Sequence, residues 1–158
     1  SQNQSKYEAN VASVAGKMDN RVIAAYQQLG FKIVVDPSVN YSGYFDARSR
    51  SITMKQIDDS VYHELGHFLA FIAGNVDKTA SFQSIFAAEK ANVTAFNKAY
   101  VTQNASEYFA ESVKDYILNN ASLKSTRPQT YAAVQNALNQ ITDAQIAKIE
   151  KIYGAVWN

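Results

Sequence analysis

Several residue types are missing or scarce in this chain, and each absence narrows the chemistry open to it. There is no cysteine among the 158 residues, which excludes disulfide bonds and metal sites with thiolate ligands. No apolar run reaches the roughly 20 residues that a membrane helix needs, and the first residues lack the basic and apolar regions of a signal peptide. We therefore expect no membrane span.

An excess of charge of either sign is also missing. The chain has 15 basic and 14 acidic residues, for a net charge of +1. It therefore lacks the basic surface that binds nucleic acid or an anionic membrane, and we expect neither partner.

Length and composition favour an independently folding unit. With 158 residues, 47% of them hydrophobic, the chain can bury a core of its own. We expect a single domain over residues 1–158 and a monomer. Because the sequence starts at Ser1 without an initiator methionine, we also expect a mature, secreted protein.

Histidine is scarce, and its placement is the strongest functional signal. The only two histidines lie in the segment His63-Glu64-Leu65-Gly66-His67, four residues apart, so a helix projects both from one face. This is the HExxH motif of zinc hydrolases, in which the imidazoles bind the metal and the glutamate accepts a proton from water. We predict that Glu64 is this general base. An accidental HExxH in an ordinary helix is the alternative.

Periodicity predicts a mainly helical chain with a few strands near the N-terminus. Apolar residues at three- and four-residue spacing indicate a helix from Tyr7 to Leu29, and a buried strand follows at residues 31–35. The metal helix is predicted over residues 61–73, and further helices start near Asp77, Ser106 and Pro128 and at a Thr142/Gln145 capping box. Trp157, the single tryptophan, should pack within this last helix.

A hairpin is predicted directly before the metal helix. Its arms start at Tyr44 and Ser51, with a turn over residues 46–50. Such a hairpin can offer a sheet edge to an extended peptide, and Tyr41 and Tyr44 are the candidate substrate-binding residues. An ordinary hairpin with exposed tyrosines is the alternative.

The third metal ligand has to be a carboxylate downstream, because no histidine follows His67. A catalytic zinc takes three protein ligands and keeps a position for water. Glu89 lies in a helix that reads as ordinary surface, whereas Glu107 and Glu111 share one helix face. Two like charges at this spacing repel each other, and a dication would offset the repulsion. One carboxylate could bind zinc while the other accepts a hydrogen bond from a ligand histidine; a solvated surface pair is the alternative.

These residues resemble a known family. The order His63-Glu64-Leu65-Gly66-His67, Tyr100 and Glu107-Tyr108-Phe109-Ala110-Glu111 is similar to the catalytic domain of anthrax lethal factor and to the related secreted Pro-Pro endopeptidases. In that family a tyrosine lies seven residues before the ligand glutamate, an interval that Tyr100 and Glu107 reproduce.

The resemblance implies a role for each matching residue. His63, His67 and Glu107 would bind one zinc ion per chain, Glu64 would be the general base, and Tyr100 would stabilise the oxyanion. Glu111 would hold a ligand histidine from behind.

We therefore predict an α+β, zincin-like metallopeptidase, mainly helical with a small N-terminal β-sheet, that hydrolyses peptide bonds of a protein or peptide substrate. The alternative from another class is a non-catalytic binding or adhesion module that zinc only stabilises. The sequence leaves the cleavage preference open.

Overall fold

The computed structural model describes residues 5–158, and these form an α+β structure with a small sheet and mostly helix, as predicted. The strands of the described residues are β1 (Tyr7–Ala9), β2 (Lys32–Val35), β3 (Gly43–Asp46) and β4 (Ser51–Met54). Their α-helices are α1 (Val11–Val14), α2 (Asn20–Gln28), α3 (Ser60–Ile72), α4 (Ala80–Glu89), α5 (Lys98–Val101), α6 (Ala105–Leu118), α7 (Asn120–Thr126), α8 (Pro128–Asn139) and α9 (Asp143–Trp157). None of these helices has the length and hydrophobicity that a membrane crossing requires.

The sheet leaves one edge of β3 free. Its strand order is β1-β2-β4-β3; β2 and β4 are parallel, and the other pairs are antiparallel. The predicted hairpin is confirmed, with Phe45 of β3 opposite Ile52 of β4. Within the described part of the chain, β3 therefore pairs on one side only, next to the metal helix.

The N-terminal segment differs from its prediction. A continuous helix over residues 7–29 is wrong, because β1 precedes two separate helices. Asn10 accepts a hydrogen bond from the backbone N–H of Ser13 (3.2 Å) and starts α1, whereas Asp19 accepts one from Arg21 (2.8 Å) and starts α2. Such side-chain caps fix the start of a helix. The apolar spacing therefore reflects two short helices, not one long helix.

Helix α3, which carries the HExxH motif, lies in the centre of the core. It follows the predicted bounds to within one residue, and nearly all of its side chains are buried. One face packs on the sheet through Phe68, whose ring centroid lies 6.2 Å from that of Phe45 in β3 and 4.9 Å from that of Phe31, directly before β2. The opposite face packs on α6, so α3 is enclosed from two sides.

The contact between α3 and α6 depends on Gly66. A Cβ atom at this position would lie 2.7 Å from the carbonyl oxygen of Ala110 and 3.0 Å from Cβ of Val113. Both distances are shorter than van der Waals contact, and the first atom is rigid backbone. Only glycine therefore permits this approach of the two helices.

The C-terminal helices complete the core, and α7 has no counterpart in the sequence prediction. Thr142 accepts the expected hydrogen bond from the backbone N–H of Gln145 (3.1 Å), but the Gln145 amide donates to the Ile72 carbonyl (2.8 Å). The capping box is thus only half formed, because this side chain ties α9 to α3. Trp157 is packed as predicted, with its ring centroid 5.6 Å from that of Phe31.

We expect Gly66→Ala to lower the free energy of unfolding by about 1–3 kcal/mol, the usual effect of overpacking a core. In an unobstructed helix interior, the same exchange stabilises by roughly 0.5–1 kcal/mol. Gly154→Ala in α9 is the matched control, because the nearest atom to its added Cβ is 4.0 Å away. Urea unfolding with a chelator present measures both; a Gly66→Ala protein as stable as the parent would contradict the packing argument.

Candidate metal centre

The two histidines project from neighbouring turns of α3. Their ring centroids are 5.0 Å apart. Asp58 accepts a hydrogen bond from the backbone N–H of Ser60 (2.9 Å) at the start of this helix, so His63 lies within its first turns. His63 is buried, whereas His67 is partly exposed, and the pair therefore faces an opening at the protein surface.

Glu107 reaches this pair from the first turn of α6. The Asn104 side chain caps that helix by accepting a hydrogen bond from the Glu107 backbone N–H (2.8 Å). Oε1 of Glu107 lies 2.7 Å from Nε2 of His67 and 3.5 Å from Nε2 of His63. The structure thus brings the three predicted ligands together, with ligand atoms all within 4.8 Å of one another.

The donor set fits a divalent cation. Oε2 of Glu107 is buried and has no hydrogen-bond partner among the described residues. A buried carboxylate oxygen without a partner is costly and rare in folded proteins, and a bound cation removes that cost. Two imidazole nitrogens and one carboxylate oxygen are typical zinc ligands, and a three-residue set leaves a position open.

Glu111 lies behind His63. Its Oε1 accepts a hydrogen bond from Nδ1 of His63 (2.8 Å), which leaves Nε2 facing Glu107. Burial alone would lower the pKa of His63, but the carboxylates of Glu107 and Glu111 raise this pKa to about 9. Burial acts to raise the pKa of Glu107, and its hydrogen bonds with His63 and His67 bring it far below the ordinary value. The cluster therefore holds negative charge where a cation would bind.

The Glu64 side chain extends from α3 towards Gly43 of strand β3. Its side chain is buried, and burial raises the pKa of its carboxyl group, as suits a proton acceptor. A Cβ atom on Gly43 would lie 2.9 Å from Cγ of Glu64. The missing side chain at Gly43 therefore makes the space that Glu64 occupies.

Tyr100 reaches the site from α5. Its ring centroid is 6.4 Å from that of His63, and the residue is 56% exposed. Burial of the hydroxyl and the charge of Glu107 raise its pKa to about 12. The phenol therefore keeps its proton at neutral pH and remains a hydrogen-bond donor.

Two cavities meet at Glu64. The His63-side cavity has a volume of about 420 Å³ and is lined by Tyr41, Ser42, Gly43, Ser60, His63, Glu64, Asn97, Tyr100, Glu111 and Lys114. The His67-side cavity has a volume of about 380 Å³ and is lined by Gly43, Tyr44, Phe45, Glu64, His67, Tyr100, Gln103, Asn104 and Glu107. Tyr41 and Tyr44, the candidate substrate-binding residues, thus border the site on opposite sides.

Glu89 is not part of the site, and its prediction as an ordinary surface residue is wrong. It is buried and accepts hydrogen bonds from the backbone N–H groups of Gln129 (3.0 Å) and Thr130 (2.7 Å). These are the free donors at the start of α8, so Glu89 caps that helix from another element.

Three residues that support the site were not singled out from the sequence. Asn104 precedes Glu107 by three residues, which is a recognisable cap spacing. Gly66 and Gly43 carry a weaker signal: glycine is unfavourable inside a helix or strand, so its presence there indicates a close approach. Which element approaches them is visible only in the fold.

Comparison with known proteins bears on the identity of this site. A family model described as the anthrax toxin lethal factor N- and C-terminal domain matches residues 15–137. The chain belongs to the anthrax toxin lethal factor family. The match contains α3, α5 and α6, and therefore every residue of the candidate metal centre, so the resemblance seen in the motifs is confirmed.

A curated relative is also similar to part of the chain. This protein of Clostridioides difficile (strain 630) is named Pro-Pro endopeptidase and is 41% identical over 78 residues. The match covers 47% of this chain and 34% of that relative. The matched part thus spans only about a third of the relative's length.

We expect zinc affinity to separate the three glutamates. Glu107→Gln should lose more than the roughly 10–100-fold typical of removing a hydrogen-bond partner behind a ligand, and Glu111→Gln should fall within that range. Glu89→Gln is the matched control: its zinc affinity should match the parent, while the free energy of unfolding drops by about 1–3 kcal/mol. Competition with a chromophoric chelator measures these affinities. A larger loss in Glu89→Gln than in Glu107→Gln would overturn the ligand assignment.

Proposed function

We propose that the protein is a zinc-dependent endopeptidase with a zincin-like fold that hydrolyses peptide bonds of a protein or peptide substrate. The observation that carries this proposal is the convergence of both Nε2 atoms on Glu107, whose second carboxylate oxygen is buried without a partner among the described residues. Membership of the lethal factor family and the name of the C. difficile relative support the same reaction.

His63, His67 and Glu107 would hold one zinc ion. When bound, zinc polarises the carbonyl of the scissile bond and lowers the pKa of water. Glu111 would keep His63 in the tautomer that presents Nε2, because its carboxylate accepts the Nδ1 proton. The ligand arrangement therefore needs residues of both α3 and α6.

Glu64 would move the protons. Its carboxylate would take a proton from the attacking water and pass it to the leaving amine. The raised pKa of Glu64, which follows from its burial, suits both transfers, since a weaker acid holds the proton between them. No covalent bond to the protein is required.

Tyr100 would donate its phenolic hydrogen to the oxyanion of the tetrahedral intermediate. A donor aimed at developing charge acts mainly in the transition state. The pKa of about 12 supports this role, because the hydroxyl keeps its proton throughout the neutral range.

The free edge of β3 would hold the substrate as an added strand. An extended peptide gains backbone hydrogen bonds at such an edge, and β3 runs directly above Glu64 through Gly43. Side chains of the bound peptide would then enter the two cavities past Tyr41 and Tyr44. We also propose that the protein is secreted.

We expect Glu64→Gln to bind zinc like the parent and to lose at least about 100-fold in cleavage rate, since general base catalysis contributes this much or more. Cleavage of a random peptide library, supplemented with peptides that contain a Pro-Pro bond, measures the rate with and without a chelator. Turnover unchanged by Glu64→Gln would reject the base assignment. A zinc-loaded parent that cleaves nothing would favour the binding module.

We expect Tyr100→Phe to lower kcat by about 100-fold, a usual effect of removing one oxyanion donor, with zinc affinity preserved. Tyr131→Phe is the matched control, because its hydroxyl donates to Asn120 on the surface, away from the site. Steady-state kinetics on the best library peptide measures both variants. Equal kcat values in the two variants would remove Tyr100 from the mechanism.

A further inference from the structure

The two cavities differ in charge. Lys114 of α6 lines the His63-side cavity, and none of the described residues that line the His67-side cavity is a lysine or arginine. Because Glu64 and Tyr100 border both cavities, the reacting bond would lie at their junction. Residues before and after that bond would thus meet different electrostatic surroundings.

Among the described residues, the ammonium group of Lys114 forms a long ion pair with Glu111 but no hydrogen bond. Its nearest carboxylate oxygen, Oε2 of Glu111, is 4.0 Å away, which is beyond hydrogen-bond distance. The other oxygen of Glu111 already accepts from His63. The Lys114 side chain is 29% exposed, so its three N–H donors can reach a ligand in the cavity. A carboxylate is the strongest acceptor for them.

Strand direction decides which part of a substrate meets Lys114. Strand β3 runs from Gly43 to Asp46; Tyr41, on its N-terminal side, lines the His63-side cavity, and Phe45 lines the His67-side cavity. Antiparallel pairing is the more stable and more common arrangement. In a peptide antiparallel to β3, the N-terminal part would lie at the His67 side and the C-terminal part at the His63 side. Residues that follow the cut bond therefore pass Lys114.

We propose that Lys114 selects substrates with an acidic side chain among the first three residues after the cut bond. This selectivity rests on the proposed endopeptidase function. Asp or Glu at one of these positions would place a carboxylate against the Lys114 ammonium, whereas Lys or Arg there would be repelled. No lysine or arginine among the described residues lines the His67-side cavity, so no matching preference arises before the bond.

The test uses the library peptide that the zinc-loaded parent cleaves fastest. This peptide is resynthesised with Glu, Gln or Lys at each of the three positions on either side of the bond. At one downstream position, kcat/KM for the Glu peptide should exceed that for the Gln peptide by about three- to tenfold, the range of a partly exposed charged hydrogen bond. The Lys peptide should be cleaved more slowly than the Gln peptide.

Variants of Lys114 then test whether this side chain causes the preference for the Glu peptide. Lys114→Met should bring the Glu-to-Gln ratio close to one, Lys114→Arg should retain it, and Lys114→Glu should favour the Lys peptide. Lys98→Met is the matched control, because Lys98 lines neither cavity and donates to the Ala91 carbonyl. Each ratio comes from one protein sample, so a loss of folded protein cancels.

The possible outcomes distinguish a failure of the Lys114 selectivity from a failure of the proposed endopeptidase function. An effect of Lys114 through Glu111 alone would slow all peptides alike and leave the ratio unchanged, which overturns the selectivity. A preference that persists in Lys114→Met, or that lies only before the bond, overturns it as well. A zinc-loaded parent that cleaves no peptide overturns the endopeptidase function, and the selectivity with it.

Discussion

The close approach of α3 and α6 at Gly66 is the constraint on which the candidate metal centre depends. One helix carries both histidines and the other carries Glu107 and Glu111, and no chain connection sets their separation directly. The glycine sets it, because Ala110 fills the space that a Cβ would need. The contacts across this interface are 2.7 and 2.8 Å long, so their lengths depend directly on the separation of the two helices.

Further charged and polar groups lie behind the metal centre, where they are paired with one another. Behind the centre, Arg127 donates to Asp115 (2.5 Å) and Ser112 (3.1 Å), and its guanidinium lies over the Tyr108 ring. The Tyr108 hydroxyl is hydrogen-bonded to Thr130, which also donates to Glu89. Such a network fixes α6 from the side opposite to α3. The polar groups named here all have hydrogen-bond partners. Among the described residues, the buried side-chain atom without one is Oε2 of Glu107.

How much the sequence could predict depends on how far apart the interacting residues lie along the chain. The HExxH motif and the Glu107/Glu111 pair depend on spacing within one helix, so their common faces were predictable. The hairpin was predictable for the same reason, since its arms are neighbours in the chain. Glu89 was misread because its partners lie 40 and 41 residues away at the start of α8. The same limit applies to Gly66, whose function becomes visible only when α6 lies against it.

The hairpin is held in place from the far end of the chain. The indole N–H of Trp157 in α9 donates to the Ala47 carbonyl (3.0 Å), directly after β3, and the Arg50 guanidinium lies 5.2 Å from the centre of the same indole. The Phe45 ring within β3 stacks on His67 at a centroid distance of 6.5 Å. The turn and the strand are therefore fixed to α9 and to the metal helix. An edge strand fixed in this way is already ordered before a ligand pairs with it, so binding there loses little conformational entropy.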